Sequence, residues 1–287
     1  MTTPFDEAGE FQPDKVAAQV NWMIRAGAHG LAAGGSTGEG HTLDHDEYRA
    51  LIAATSEAVA GRIPVIAGVI TDSTREAIKR GKAVRDMNVA ALQVTPVHYL
   101  FRPTDDAMVD HFRAMADETG VPIIIYNVVP WTYLSPALLC RIFDEVPNVI
   151  GVKQSAGDLK LLADLLIDAP PDRRIFTAVD ALMYSSFALG AHGAIAAILS
   201  AVPHASVELW NAVNVMGNRQ KARDLHEKML RLWNAMFSDN LPACTKFAQE
   251  IQGIPAGAPR APMPPASPEQ QAAIRKCLEA LEVRILG

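Results

Sequence analysis

The chain has 287 residues, of which 49% are hydrophobic, and a formal net charge of -6. That length is ample for one large core and suits an α/β barrel built as a single domain. Its 26 Lys and Arg are spread along the chain rather than massed, so it lacks the basic footprint that nucleic acid or an anionic membrane surface requires.

In chain order, the first apolar stretch is the stub 2–5, which reads as the end of a strand. Residues 14–26 follow with helical period, placing Val16, Val20, Met23 and Ile24 on one face. Short β-branched strands are then predicted at 30–33, 63–69, 90–95, 122–127, 149–153, 174–178 and 193–198. Between them, helical stretches run over 44–60, 73–85, 104–119, 135–144 and 158–168. Asp44, Ser73, Thr104, Ser135 and, later, Ser267 stand where N-caps belong. Beyond the last strand, further helices are expected over 202–217, 219–237, 240–251 and 268–285, with a Pro, Ala and Gly-rich linker at 253–268.

Strand and helix alternating about every 25–30 residues imply βαβ units and a parallel sheet. Seven clear strands plus the stub favour a closed (β/α)₈ TIM barrel over an open sheet, and no GxGxxG follows the first strand. The expectation is a catalytic barrel over 1–217 and a C-terminal helical appendage over 218–287. Cys140, Cys244 and Cys277 are odd in number and lack CxxC spacing, which reads as reduced thiols. No basic start precedes an apolar stretch, and no apolar run reaches about 18 residues, so no signal peptide or membrane span is expected. A cytoplasmic location follows as an expectation.

Barrel chemistry sits at the C-terminal ends of the strands. There the sequence places Gly34-Gly35-Ser36-Thr37-Gly38-Glu39, Thr95-Pro96-Val97-His98-Tyr99, Tyr126-Asn127 and Lys153-Gln154-Ser155. Lys153 closes an otherwise apolar strand with no acid beside it. Desolvation there should lower its pKa and supply the free amine that attacks a ketone. Tyr126 ends the neighbouring strand, and its phenol can donate and accept protons. The loop 34–38 offers bare N–H groups and the Ser36 and Thr37 hydroxyls, which suit a carboxylate.

These motifs, in order and in register, resemble the family of dihydrodipicolinate synthase and N-acetylneuraminate lyase, the class I pyruvate-dependent aldolases and dehydratases. Gly35-Ser36-Thr37-Gly38-Glu39, Tyr126-Asn127 with a proline shortly after, and Gly151-Val152-Lys153 carry the likeness. The Thr2-Pro4-Phe5-Asp6…Gly9 start and Gly190-Ala191…Gly193-Ala194-Ile195 also fit, so it covers essentially the whole chain.

The resemblance implies that Lys153 forms a Schiff base with a small 2-keto acid and that Tyr126 shuttles protons. It implies that Gly35, Ser36 and Thr37 hold the keto-acid carboxylate, with Ser36 and Thr37 completing the proton relay. Ile195 would line the pocket and offer its backbone carbonyl. It also implies a homotetramer, a dimer of dimers, in which a tyrosine from a neighbouring subunit joins the relay. Tyr99 is the candidate for that tyrosine, but an extra residue leaves His98 in competition. No metal and no organic cofactor is implied, because the protonated imine is the electron sink.

Three features depart from the family pattern. The lysine-pathway synthase carries an arginine close after Tyr-Asn-Val-Pro that binds the carboxylate of L-aspartate semialdehyde. Here Val128-Val129-Pro130-Trp131-Thr132-Tyr133 stands instead, with a bulky indole and no cation. One charged hydrogen-bond partner is worth about 1.5–3 kcal/mol, which argues against that second substrate. Ala178-Val179-Asp180 replaces the usual glycine before the aspartate, and the first strand looks truncated. The favoured reaction is therefore aldol cleavage, condensation or dehydration of a keto acid or sugar acid. The alternatives are the lysine-pathway synthase and a catalytically quiet keto-acid-binding paralogue.

Four other signals carry less. Gly34-Gly35-Ser36-Thr37-Gly38 matches G-x-S-x-G, but a nucleophile elbow needs a helix directly after the serine, and the next one starts near Asp44. His41 and His45 stand four apart with no third ligand evident. Trp210 and Trp233 follow helical spacing and read as core or interface. Asp105 and Asp106 open a helix, where its dipole accounts for them.

Overall fold

A computed structural model describes residues 1–286 of the chain. Six parallel strands form one curled sheet in sequence order: β1 (Leu31–Ala33), β2 (Val65–Val69), β3 (Ala91–Val94), β4 (Ile123–Asn127), β5 (Val149–Gln154) and β6 (Arg174–Thr177). Helices α1 (Val16–Arg25), α2 (His45–Val59), α3 (Thr74–Val84), α4 (Asp105–Thr119), α5 (Pro136–Glu145) and α6 (Leu159–Asp168) alternate with them. Every residue of β3 and β4 is buried, as parallel strands covered on both faces should be.

The helix starts fall where the caps were expected. Asp44 accepts from the Asp46 and Glu47 amides while Glu47 bonds back to Asp44, a reciprocal capping box. The Ser73, Thr104 and Ser135 hydroxyls each accept from the amide three residues on, and Ser267 forms a second box with Gln270. Each such cap contributes on the order of 1 kcal/mol.

The closed eight-stranded wall is only partly formed as ladders. Segment 193–198 contributes one bridge, Ala194 with Thr177, set by Thr177 N–H donating to Gly193 O and Ile195 N–H donating to Thr177 O. It ends where Ile198 opens α8 (Ile198–Ala201). Stub 2–5 does not lie along β1. The Thr2 hydroxyl faces Gln19 and Gln249, the Thr3 hydroxyl donates to Gly38 O, and Phe5 bridges antiparallel to Phe11 and Ala258. Only the Met1 amine reaches β1, donating to Ala32 O at 2.7 Å. Beside β1 and segment 193–195 lies an apolar cavity of about 270 Å³, lined by Met1, Leu31, Ile66, Phe176, Ala194 and Ile195 among others.

After β6 come α7 (Met183–Ala188), α8, α9 (Pro203–Asn214), α10 (Arg219–Met236), α11 (Leu241–Glu250) and α12 (Pro268–Ala280). Helix α10 packs on α9 and α12. Trp210 meets Phe187 edge-on at 5.0 Å, and Trp233 stacks on Phe237 at 5.0 Å, so both indoles are packing groups. The segment expected as an extended linker, 253–268, is instead packed down. Ala256 and Ala266 are buried, and Ala258 pairs with Phe5. Among the described residues, no helix is long and apolar enough to cross a membrane.

Candidate active site

Lys153 and Tyr126 are partners in the β4–β5 register, so both side chains project from one face of the sheet at one level. Lys153 Nζ stands 3.7 Å from the centroid of the Tyr126 ring. Both residues are buried, at 7% and 6% exposure. Lys153 has no ion-pair partner within 4 Å among the described residues, and its Nζ rests against the π-face of Tyr126. Phe176 of β6 closes the same layer on the other side. One layer down, Gly151 is required. A Cβ there would stand 2.2 Å from Arg174 O, so any side chain would force β5 and β6 apart.

The loop after β1 turns on Gly34, at φ +71°, and on Glu39, at φ +54°. Glu39 N–H donates to Ser36 O and Gly40 N–H to Gly35 O, both at 3.0 Å. Gly40 has no room for a side chain, since a Cβ would lie 1.9 Å from Gly34 O. Among the described residues, the N–H groups of Ser36, Thr37 and Gly38 and both hydroxyls donate to no protein acceptor. Free donors clustered in a tight turn form a concave site for an anion. Gly35 lies over Gln93, whose Nε2 is 3.5 Å from where a Gly35 Cβ would be. Gln93 is 1% exposed and neither of its amide atoms has a partner among the described residues.

Two further ionisable groups feel the charge of Lys153. Asp180 is buried, and Ile198 N–H donates to its Oδ1 at 2.7 Å. Burial pushes its carboxyl up to about 6, against the Ile198 hydrogen bond and the Lys153 charge, which both pull it down. Burial, reinforced by Lys153, lowers the Met1 ammonium to about 5. The Met1 carbonyl abuts Gly38, where a Cβ would stand 2.8 Å from it. Asp180 and Gln93 were not among the sequence candidates. An aspartate just beyond a strand end was a usable signal for the first, whereas nothing in the sequence marks Gln93 as facing inward.

The other candidates separate. Asn127 turns away from the reacting face: its Nδ2 donates to Leu134 O and Gln154 Oε1, and its Oδ1 accepts from Leu134 N–H, pinning the loop that carries Trp131. Tyr99 is 62% exposed and lies outside the Lys153 layer of its own chain. His98 is engaged locally, with Nδ1 3.1 Å from Pro96 O and Nε2 3.3 Å from Asp72. Trp131 Nε1 donates to the His98 and Tyr99 carbonyls, bracing that exposed turn. Ile195 lines the apolar cavity beside Phe176, and Lys153 is not in that lining. Helix α2 begins only at His45, too late for Ser36 to stand on an elbow. No cluster of three metal-ligating side chains occurs among the described residues.

The 4-hydroxy-tetrahydrodipicolinate synthase of Bacillus subtilis (strain 168) is 30% identical over 98% of this chain and 97% of its own length. A crystal structure of dihydrodipicolinate synthase superposes with a TM-score of 0.91 and 31% identity, covering 99% of this chain and 98% of that one. The chloride-inhibited dihydrodipicolinate synthase from Acinetobacter baumannii, complexed with pyruvate, gives 0.92 and 28%, covering 99% and 97%. The model of the dihydrodipicolinate synthetase family matches residues 1–281, nearly end to end, and the chain belongs to that family.

Proposed function

We propose that this chain is a Schiff-base-forming lyase acting on a small 2-keto acid through an imine on Lys153. The observation that carries the reading is the buried Lys153 amine, with no carboxylate in ion-pair contact, face-on to the ring of Tyr126. In this scheme the amine adds to the ketone, and the resulting carbinolamine loses water to a protonated imine. That cation draws electrons from the adjacent carbon, which permits aldol cleavage, condensation or dehydration. Tyr126 moves the protons. Ser36 and Thr37, with the amides from Gly35 to Gly38, hold the carboxylate. The pyruvate bound by the A. baumannii relative is the simplest substrate of this class.

The same proposal extends to the assembly. The barrel spans 1–217, its six-stranded sheet extended at the β6 edge by segment 193–195, with a helical appendage over 218–287. The enzyme works in the cytoplasm as a homotetramer of two dimers, in which exposed Tyr99 reaches a neighbouring subunit's relay while His98 stays in its own.

The matched relatives favour a second reading, the synthase that joins pyruvate to L-aspartate semialdehyde. Trp131 argues against it, since the loop after β4 carries an indole and no cation. Arg102 is already paired with Asp105 at 2.9 Å.

Incubation with pyruvate, borohydride reduction and mass spectrometry test the chemistry. A reduced adduct on Lys153 is expected, and a folded protein without one overturns the lyase reading. Rapid turnover of pyruvate with aspartate semialdehyde would replace the first reading by the second.

A further inference from the structure

Glu39, the residue after the carboxylate-binding loop, is fully buried yet ionisable. It occupies the left-handed region, so its backbone fixes the turn directly: its N–H closes on Ser36 O, and its carbonyl accepts from both the N–H and the hydroxyl of Thr42. Its carboxylate is gripped entirely from the far end of the chain. Oε1 lies 2.6 Å from Lys246 Nζ on α11, and Oε2 accepts the Arg260 N–H at 2.8 Å. Lys246 also donates to Ala258 O at 2.6 Å, which locks it to the packed-down segment. The Arg260 guanidinium spans Gly9 O, Thr42 O and Glu47, and both cations stand over the Phe5 ring, Lys246 Nζ at 4.5 Å and Arg260 Cζ at 4.1 Å from its centroid.

A fully buried ion pair adds little net stability over an apolar substitute; what it enforces is geometry. Its position, one residue beyond Gly38, says which geometry. We propose that Lys246 and Arg260, acting through Glu39, are positioning residues that shape the 34–38 loop, so the C-terminal segment sets how tightly the 2-keto acid carboxylate is held. The inference rests on the Schiff-base reading and adds to it a determinant of substrate affinity that never touches substrate.

The test is the rate of borohydride trapping at Lys153 against pyruvate concentration, with unfolding followed in parallel. The proteins are wild type, Lys246→Met and the charge-neutral double variant Glu39→Gln with Lys246→Met. A misplacement near 1 Å costs up to about a hundredfold. Lys246→Met is therefore expected to raise the half-saturating pyruvate concentration by about tenfold to a hundredfold. Its trapping rate at saturation should stay within about twofold, because Lys153 and Tyr126 are undisturbed. The double variant should recover wild-type thermal stability but keep the raised half-saturation. Recovery of both together would show the pair to be purely structural and overturn the inference. So would a folded Lys246→Met that saturates like wild type. If Lys246→Met does not fold, Lys246→Arg gives the same readout: a raised half-saturation supports the inference, and a wild-type value overturns it. Wild type that forms no adduct overturns the Schiff-base reading and this inference with it, whereas an adduct in wild type with unchanged saturation in the variants overturns the inference alone.

Discussion

Asp180→Asn isolates what burial does to a carboxyl that feels the Lys153 charge. The amide keeps the shape and the Oδ1 acceptor for Ile198 N–H, and it removes only the capacity to ionise. In the folded protein this carboxyl is pushed up from 3.8 to about 6, chiefly by burial. A raised carboxyl binds its proton more tightly in the native state, so its contribution is fully present below pH 3.8 and is lost as pH rises through 6. Two units at 1.36 kcal/mol each make the loss about 3 kcal/mol. Wild type and Asp180→Asn should therefore be nearly equally stable at pH 4, and the variant should lead by about 3 kcal/mol at pH 7.5. Urea unfolding of both proteins across that range gives the difference directly, and other titrations common to the two cancel. A difference that does not vary with pH, or a variant less stable at pH 7.5, would refute the argument.

Gly151→Ala should destabilise by about 1–3 kcal/mol, because its Cβ would lie 2.2 Å from Arg174 O and must part β5 from β6. Since Lys153 stands two residues on, borohydride trapping should fall with it, and wild-type trapping would show that the strands absorb the methyl group. Trp131→Arg restores a cation after β4. Turnover with aspartate semialdehyde should rise by about 10-fold or more, from a charged hydrogen bond worth about 1.5–3 kcal/mol, and an unchanged rate would place that carboxylate elsewhere. Burial lowers His111 to about 4, so its neutral ring stabilises the fold above pH 6.5 and that stability is lost as pH falls through 4. His111→Gln should flatten the acid side of the stability profile, with unfolding midpoints from pH 7 to pH 4 as the check.

The strands and helices were legible because their signals are local. Ser73, Thr104 and Ser135 cap where a hydroxyl precedes an apolar period, and the apolar strand 149–153 could carry one lysine only at its end. The pairing of Tyr126 with Lys153 was legible for a related reason: consecutive strand ends in a parallel sheet arrive at one level. What stayed hidden depends on contacts across the chain. Residues 2–5 have strand composition, but the Thr2 and Thr3 hydroxyls donate to Gln19, Gln249 and Gly38 and Phe5 bridges to Ala258 instead of the segment pairing along β1, and no local pattern encodes those distant partners. The Pro and Ala-rich segment 253–268 reads as a linker by composition. It is an anchored strap because a buried carboxylate more than two hundred residues earlier needs the Arg260 amide. Gln93 follows the same logic in reverse. An alternating strand gives it an even chance of facing either side, and only the close approach of the Gly35 backbone shows that its amide looks inward. The sequence thus exposes groups whose types and spacing are constrained nearby, such as Tyr126 and Lys153 at consecutive strand ends, and hides groups such as Arg260 and Gln93, whose roles answer to distant partners.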